Sequence, residues 1–135
     1  MARIICIDFG LKRCGLAVTD PLQIIATGLE VVHPKDLIDF LKNYTRTEKV
    51  ELILIGLPKS LDGSDTHATL PAQKMFETIQ KALPDIPARQ VDERFSSKIA
   101  SREMLKMGMK KSVRRKKENI DLIAATMMLQ EYLQH

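Results

Sequence analysis

Three acids stand where this chain could do chemistry. Asp8 ends the apolar run Ile4-Ile5-Cys6-Ile7, and Glu93 follows the stretch Ile86 to Val91. Asp121 shares a helical stripe with Ala124, Ala125 and Met128, at spacings of three, four and seven. Each has an ordinary explanation taken singly. Asp8 beside a tight turn can be satisfied by water, a cation or hydrogen-bond donors. Asp121 in the first turn of a helix capped by Asn119 is stabilised by the helix dipole. Together they point further, because three converging carboxylates repel and raise one another's pKa unless hard cations sit between them. Mg²⁺ or Mn²⁺ fits that ligand set. Two such ions about 3.5–4 Å apart can activate a water and stabilise the leaving oxygen when a phosphodiester is cleaved. Arg13, Arg94 and the basic run at 110–117 are the groups expected to hold the polyanion.

The elements that must position these groups are legible from periodicity. Ile4 to Ile7 reads as a strand buried on both faces, with Gly10 and Gly15 bracketing a turn and a second strand from Leu16 to Thr19 before Asp20-Pro21. A third strand is expected over Thr27–Val32. Pro34 stops it before a helix over Lys35–Tyr44, striped by Leu37, Phe40, Leu41 and Tyr44. Val50–Ile55 is a heavily apolar strand ending in Gly56-Leu57-Pro58, and a helix runs from about Leu70 to Leu83. After the strand Ile86–Val91, helices are expected over Lys98–Met107, capped by Ser96 or Ser97, and over Asn119–Leu133. The order βββαβαβαα implies one α/β domain spanning 1–135. Its five-stranded mixed sheet is antiparallel on the hairpin side and parallel beyond it, with helices on both faces. Asp8 and Glu93 then lie at carboxyl ends of strands, where sites in open α/β sheets gather. Asp92 and Glu93 point to opposite faces if the strand continues through both, so only one can join Asp8.

The net charge of +4 is local. Lys110, Lys111, Arg114, Arg115, Lys116 and Lys117 carry six positive charges in KKSVRRKK, and subtracting them leaves −2. That concentration suggests an interaction patch, with a solvated loop as the plain alternative. Aromatic residues are only 4%, which favours recognition of a nucleic acid through its backbone and shape over base stacking. No apolar run approaches a membrane span and no signal-peptide core is present, so no membrane is expected and the cytoplasm is the expected location. Cys6 and Cys14, both in the hairpin, are read as reduced, and that location would allow them to face each other across the strands.

Four stretches carry a family resemblance: IDFGLKRCGLAVTD, IGLP followed by the LDGS turn, VDERFSS, and NIDLIAATMMLQEYL. They occur in order from residue 7 to residue 133, and the chain resembles the YqgF family of pre-16S ribosomal RNA nucleases related to Holliday-junction resolvases. The resemblance implies a ribonuclease H-like fold and a metal-dependent endonuclease acting in 5′-end maturation of small-subunit ribosomal RNA, with the small-subunit precursor as partner. By the same resemblance the catalytic and metal-binding acids are Asp8, Glu93 and Asp121, with Arg94 and the Gly56 loop lining the site. The loop after Asp62-Gly63 reads SDTHAT, less glycine-bearing than in relatives, and His67 within it is left outside the site. The same acids would cut branched DNA, so a resolvase is the alternative. Paired cuts would require a two-fold dimer, and both monomer and homodimer stay open. A ribosome-associated RNA-binding factor that does not cut needs only the basic run. A hairpin of the D-F-G-x-x-x-x-G kind also occurs in actin-like ATPases, but a 135-residue chain with one copy cannot form their two-domain clamp.

Overall fold

The structure, a computed structural model, describes residues 1–58, 64–92 and 117–134, with backbone only for 92 and 117–120. Its centre is β1 (Arg3–Asp8), in which Ile4, Ile5, Cys6 and Ile7 are all buried. A strand this apolar needs a neighbour on both edges and a layer on both faces, and β1 has them. It pairs antiparallel with β2 (Cys14–Thr19) and parallel with β4 (Val50–Leu57). Outside these lie β3 (Ala26–Val32), antiparallel to β2, and β5 (Ala88–Asp92), parallel to β4. The five-stranded sheet therefore runs β3-β2-β1-β4-β5, the mixed arrangement expected from the residue pattern.

Strand alternation sorts the core into two layers. Ile5, Ile7, Leu16, Val18, Ile53 and Ile55 face α1 (Leu37–Thr47) and α2 (Thr69–Ala82), packing with Leu37, Leu41, Ala72 and Ile79. On the opposite face Ile4, Cys6, Ala17 and Leu54 pack under Ala125, Met128 and Leu129 of α3 (Lys117–Leu133). Each fully buried aliphatic side chain contributes about 1.5–3 kcal/mol of transfer free energy. The two layers together commit β1 to the middle of the sheet.

Local chemistry sets the ends of these elements. Pro34 opens a short 3-10 turn (Pro34–Asp36) that feeds α1, and His33 caps it by accepting the Lys35 N–H on Nδ1 at 3.1 Å. Phe40 and Tyr44 stack one turn apart on α1, ring centroids 6.2 Å apart. The buried Thr69 accepts the Thr66 N–H at 2.8 Å and donates to the Pro58 carbonyl, tying the start of α2 to the end of β4.

Three readings of the sequence need correction. β2 begins at Cys14, so Gly15 is a strand residue and not the far bracket of the turn. Cys6 and Cys14 are both buried, belong to opposite core layers and do not face each other. The register explains this, since Cys6 pairs with Ala17 and Cys14 with Val32. Finally, α3 starts at Lys117, which places Asn119 inside the helix and Asp121 in its second turn, beyond the reach of a dipole effect confined to the first. The helix expected over Lys98–Met107 lies outside the described residues.

Candidate functional site

Asp8 ends β1 with the parity of Ile4 and Cys6, so it belongs to the face covered by α3. Its partner across the antiparallel ladder is Gly15. That glycine is where α3 comes down onto the sheet: a Cβ built at Gly15 would stand 2.3 Å from the backbone oxygen of Asp121 and 3.1 Å from its Cβ. Any side chain at position 15 would therefore hold α3 off. Ala124 and Ala125, both buried, extend the same close approach one turn further along. A glycine and two alanines thus bring the Asp121 backbone onto Gly15, the residue across the ladder from Asp8, and both acids are half-buried. The sequence stripe of Asp121, Ala124, Ala125 and Met128 predicted the inward face of the helix. Gly15 was missed as a site residue, although a glycine inside a strand pattern is itself a signal of close backbone approach.

The parallel strands end level with Asp8. Ile7 lies beside Ile55 and Gly56 beside Val91, so the carboxyl ends of β1, β4 and β5 form one rim, with Gly56 contributing no side chain between its neighbours. Val91 packs in the α3 layer, and the Arg89 guanidinium donates to the Tyr132 hydroxyl of α3 at 3.4 Å, so the odd positions of β5 lie on the face that α3 covers.

Arg13 reaches the same place from the β1–β2 turn. Its Nε donates to Oδ2 of Asp121 at 3.2 Å, an ion pair between side chains 33% and 25% exposed. The sequence reading assigned Arg13 to the polyanion; the structure puts it on a carboxylate. Glu93, Arg94, Lys110, Lys111, Arg114, Arg115 and Lys116 lie outside the described residues, and Lys117 is described only as the first residue of α3. Among the described residues no group of three metal-ligating side chains gathers, as two of the three expected acids fall within them. Those two fit a hard cation in kind: both offer oxygen ligands, and both belong to the α3 side of the sheet at its rim, where such an ion can keep water in its shell.

A mixed sheet of order β3-β2-β1-β4-β5 with acids at the carboxyl ends of its parallel strands defines the ribonuclease H-like class of fold. A family model described as RuvX, Holliday junction resolvase, matches residues 2–135, and the chain belongs to that family, RuvX/YqgF. Among its relatives, a protein of Bacteroides fragilis is 46% identical over 134 residues, covering 99% of this chain and 97% of that protein. One from Flavobacterium johnsoniae is 47% identical over 133 residues, covering 98% and 96%. Both bear the name "Putative pre-16S rRNA nuclease". Among solved structures, RuvC of Thermus thermophilus in complex with Holliday junction substrate superposes with a TM-score of 0.56 at 16% identity, covering 98% of this chain and 94% of that one. At that identity the likeness establishes the shared fold. No helix among the described residues is long and apolar enough to cross a membrane.

Proposed function

We propose that the chain is a metal-dependent endonuclease that hydrolyses phosphodiester bonds in precursor 16S ribosomal RNA, with Asp8, Glu93 and Asp121 as the acids that hold Mg²⁺ or Mn²⁺. The observation that carries this reading is the seating of Asp121 over Gly15, directly across the ladder from Asp8. Two acids set on either side of a glycine that leaves no room for a side chain serve naturally as cation ligands. Within the stretch VDERFSS, Glu93 is preferred to Asp92 as the third acid, as the family resemblance implies. When bound, the ions supply an activated water and stabilise the departing oxygen. The chain's own residues do the rest: the acids fix the reacting centre at the sheet rim, while Arg94 and the basic residues from Lys110 to Lys117 hold the phosphate backbone.

The relatives' names point to ribosomal RNA, whereas the family's description is a Holliday junction resolvase, which keeps branched DNA as the second reading. A cytoplasmic location and association with the small-subunit precursor follow from the RNA reading. End-labelled RNA spanning a precursor 5′ leader and a four-way DNA junction, each incubated with the protein in Mg²⁺ or Mn²⁺, separate the two. Discrete cuts in the RNA support the proposal. Paired symmetric cuts in the junction by a dimer transfer it to the resolvase, and RNA binding without cutting in either metal contradicts the enzymatic reading altogether.

A further inference from the structure

Resting on the reading of Asp8 and Asp121 as ligands of a divalent cation, we propose that Arg13 is a built-in counter-ion: it holds Asp121 until the cation arrives, is displaced by it, and then turns to the phosphate backbone of the substrate. The contact that suggests this joins residues 108 apart in the chain, Nε of Arg13 to Oδ2 of Asp121 at 3.2 Å. This is long for a charge-assisted bond, and both side chains keep a quarter to a third of their surface in solvent, so the pair is of the weak, breakable kind.

The backbone beneath Arg13 is by contrast fixed. A Cβ at Gly10 would stand 2.5 Å from the Arg13 carbonyl oxygen, so the turn closes only with glycine there, and the buried Phe9 and Cys14 anchor its two ends. Motion at this point therefore belongs to the arginine side chain and not to the turn. A guanidinium does not give up its proton, so it cannot yield to a metal by titration. It can yield only by moving, because its fixed charge and a dication cannot share Asp121 without repulsion. The displaced group stays at the rim, tethered at the mouth of the site, where a phosphodiester oxygen is the available anion. Metal and polyanion binding become coupled through one side chain, each favouring the other.

The alternative role, an arginine that orients Asp121 for the metal, makes the opposite prediction, since losing an orienting partner weakens metal affinity by about 10–100-fold. Mn²⁺ binding to the whole protein without nucleic acid, followed by the electron paramagnetic resonance of free Mn²⁺, decides between them. Arg13→Gln is expected to bind Mn²⁺ about fivefold more tightly than the wild type, the loss of a partly exposed ion pair that competed. Arg13→Lys, which keeps the charge, stays near the wild-type value, and RNA cleavage by Arg13→Gln falls even at saturating Mn²⁺. Arg13→Met, which keeps the stem, repeats the measurement if Arg13→Gln loses its unfolding transition. Equal or weaker Mn²⁺ binding by the neutral variants, with cleavage intact, overturns this inference alone. Absence of Mn²⁺ binding by every form, wild type included, overturns it together with the metal reading of the acids.

Discussion

The hairpin that begins this chain ends in an acid at each extremity, and the two acids live differently. Asp20, after β2, is wrapped by its own loop: its carboxylate accepts the backbone N–H groups of Ile25 and Ile24 at 2.8 Å each and of Leu22 at 3.1 Å. Those bonds, the one from Ile25 foremost, hold its pKa below the ordinary value. The loop needs this support, because Gln23 within it sits at φ 58°, in the left-handed region that a side chain resists. At Asp8, at the other end, the residue across the ladder is Gly15, and onto that glycine the fold seats the backbone of Asp121. An acid wrapped by its own loop finishes a turn; an acid at whose strand end a distant helix delivers a second acid is the one proposed as a cation ligand. Residue type and strand-end position are the same in both cases, and only the neighbours separate structure from chemistry.

This contrast is broken most severely at Asp8. Asp8→Asn removes a ligand charge while keeping the shape, and RNA cleavage is expected to fall at least about 100-fold with the thermal transition nearly unmoved. Gly15→Ala strikes both fold and site: its methyl meets the Asp121 backbone, so α3 must shift, at a cost of about 1–3 kcal/mol in chemical denaturation together with loss of cleavage.

At the opposite end of the hairpin the effects should be on stability alone. The buried Thr19 accepts the Ile4 N–H on Oγ1 at 2.9 Å, and Thr19→Val strands that donor, costing about 1–3 kcal/mol in denaturation while cleavage continues. Asp20→Ala is the mildest. Because the folded pKa is depressed, the carboxylate stabilises the fold above its ordinary value of 3.8 and loses that contribution as pH falls through the lower folded value. The melting temperatures of wild type and Asp20→Ala should therefore differ slightly at neutral pH and converge in acid.

The same contrast shows what the sequence could and could not reveal. The run Ile4 to Ile7 was enough to place β1 inside the sheet with Asp8 at its rim, since four consecutive apolar residues need cover on both faces. The helix stripes of α1 and α3 were legible for the same reason, period against burial. Gly15 was not, because Gly10 and Gly15 around Lys12 and Arg13 look like the two sides of one turn. Only the third dimension shows that the second glycine makes room for a helix over a hundred residues later. Nor was the separation of Cys6 and Cys14 legible, as it depends on a register that the turn length sets. The start of α3 moved because helical residues Lys117 and Glu118 precede the expected cap.

Cleavage of 5′-labelled precursor RNA in Mn²⁺ by the wild type and by Asp121→Asn, at equal concentrations, tests the convergence over Gly15 most directly. Asp121 comes to the Asp8 end of the hairpin only through the fold, so a loss of at least about 100-fold with an unchanged unfolding transition is the predicted result. An Asp121→Asn protein that cuts as fast as the wild type would show that the helix acid is no part of the site.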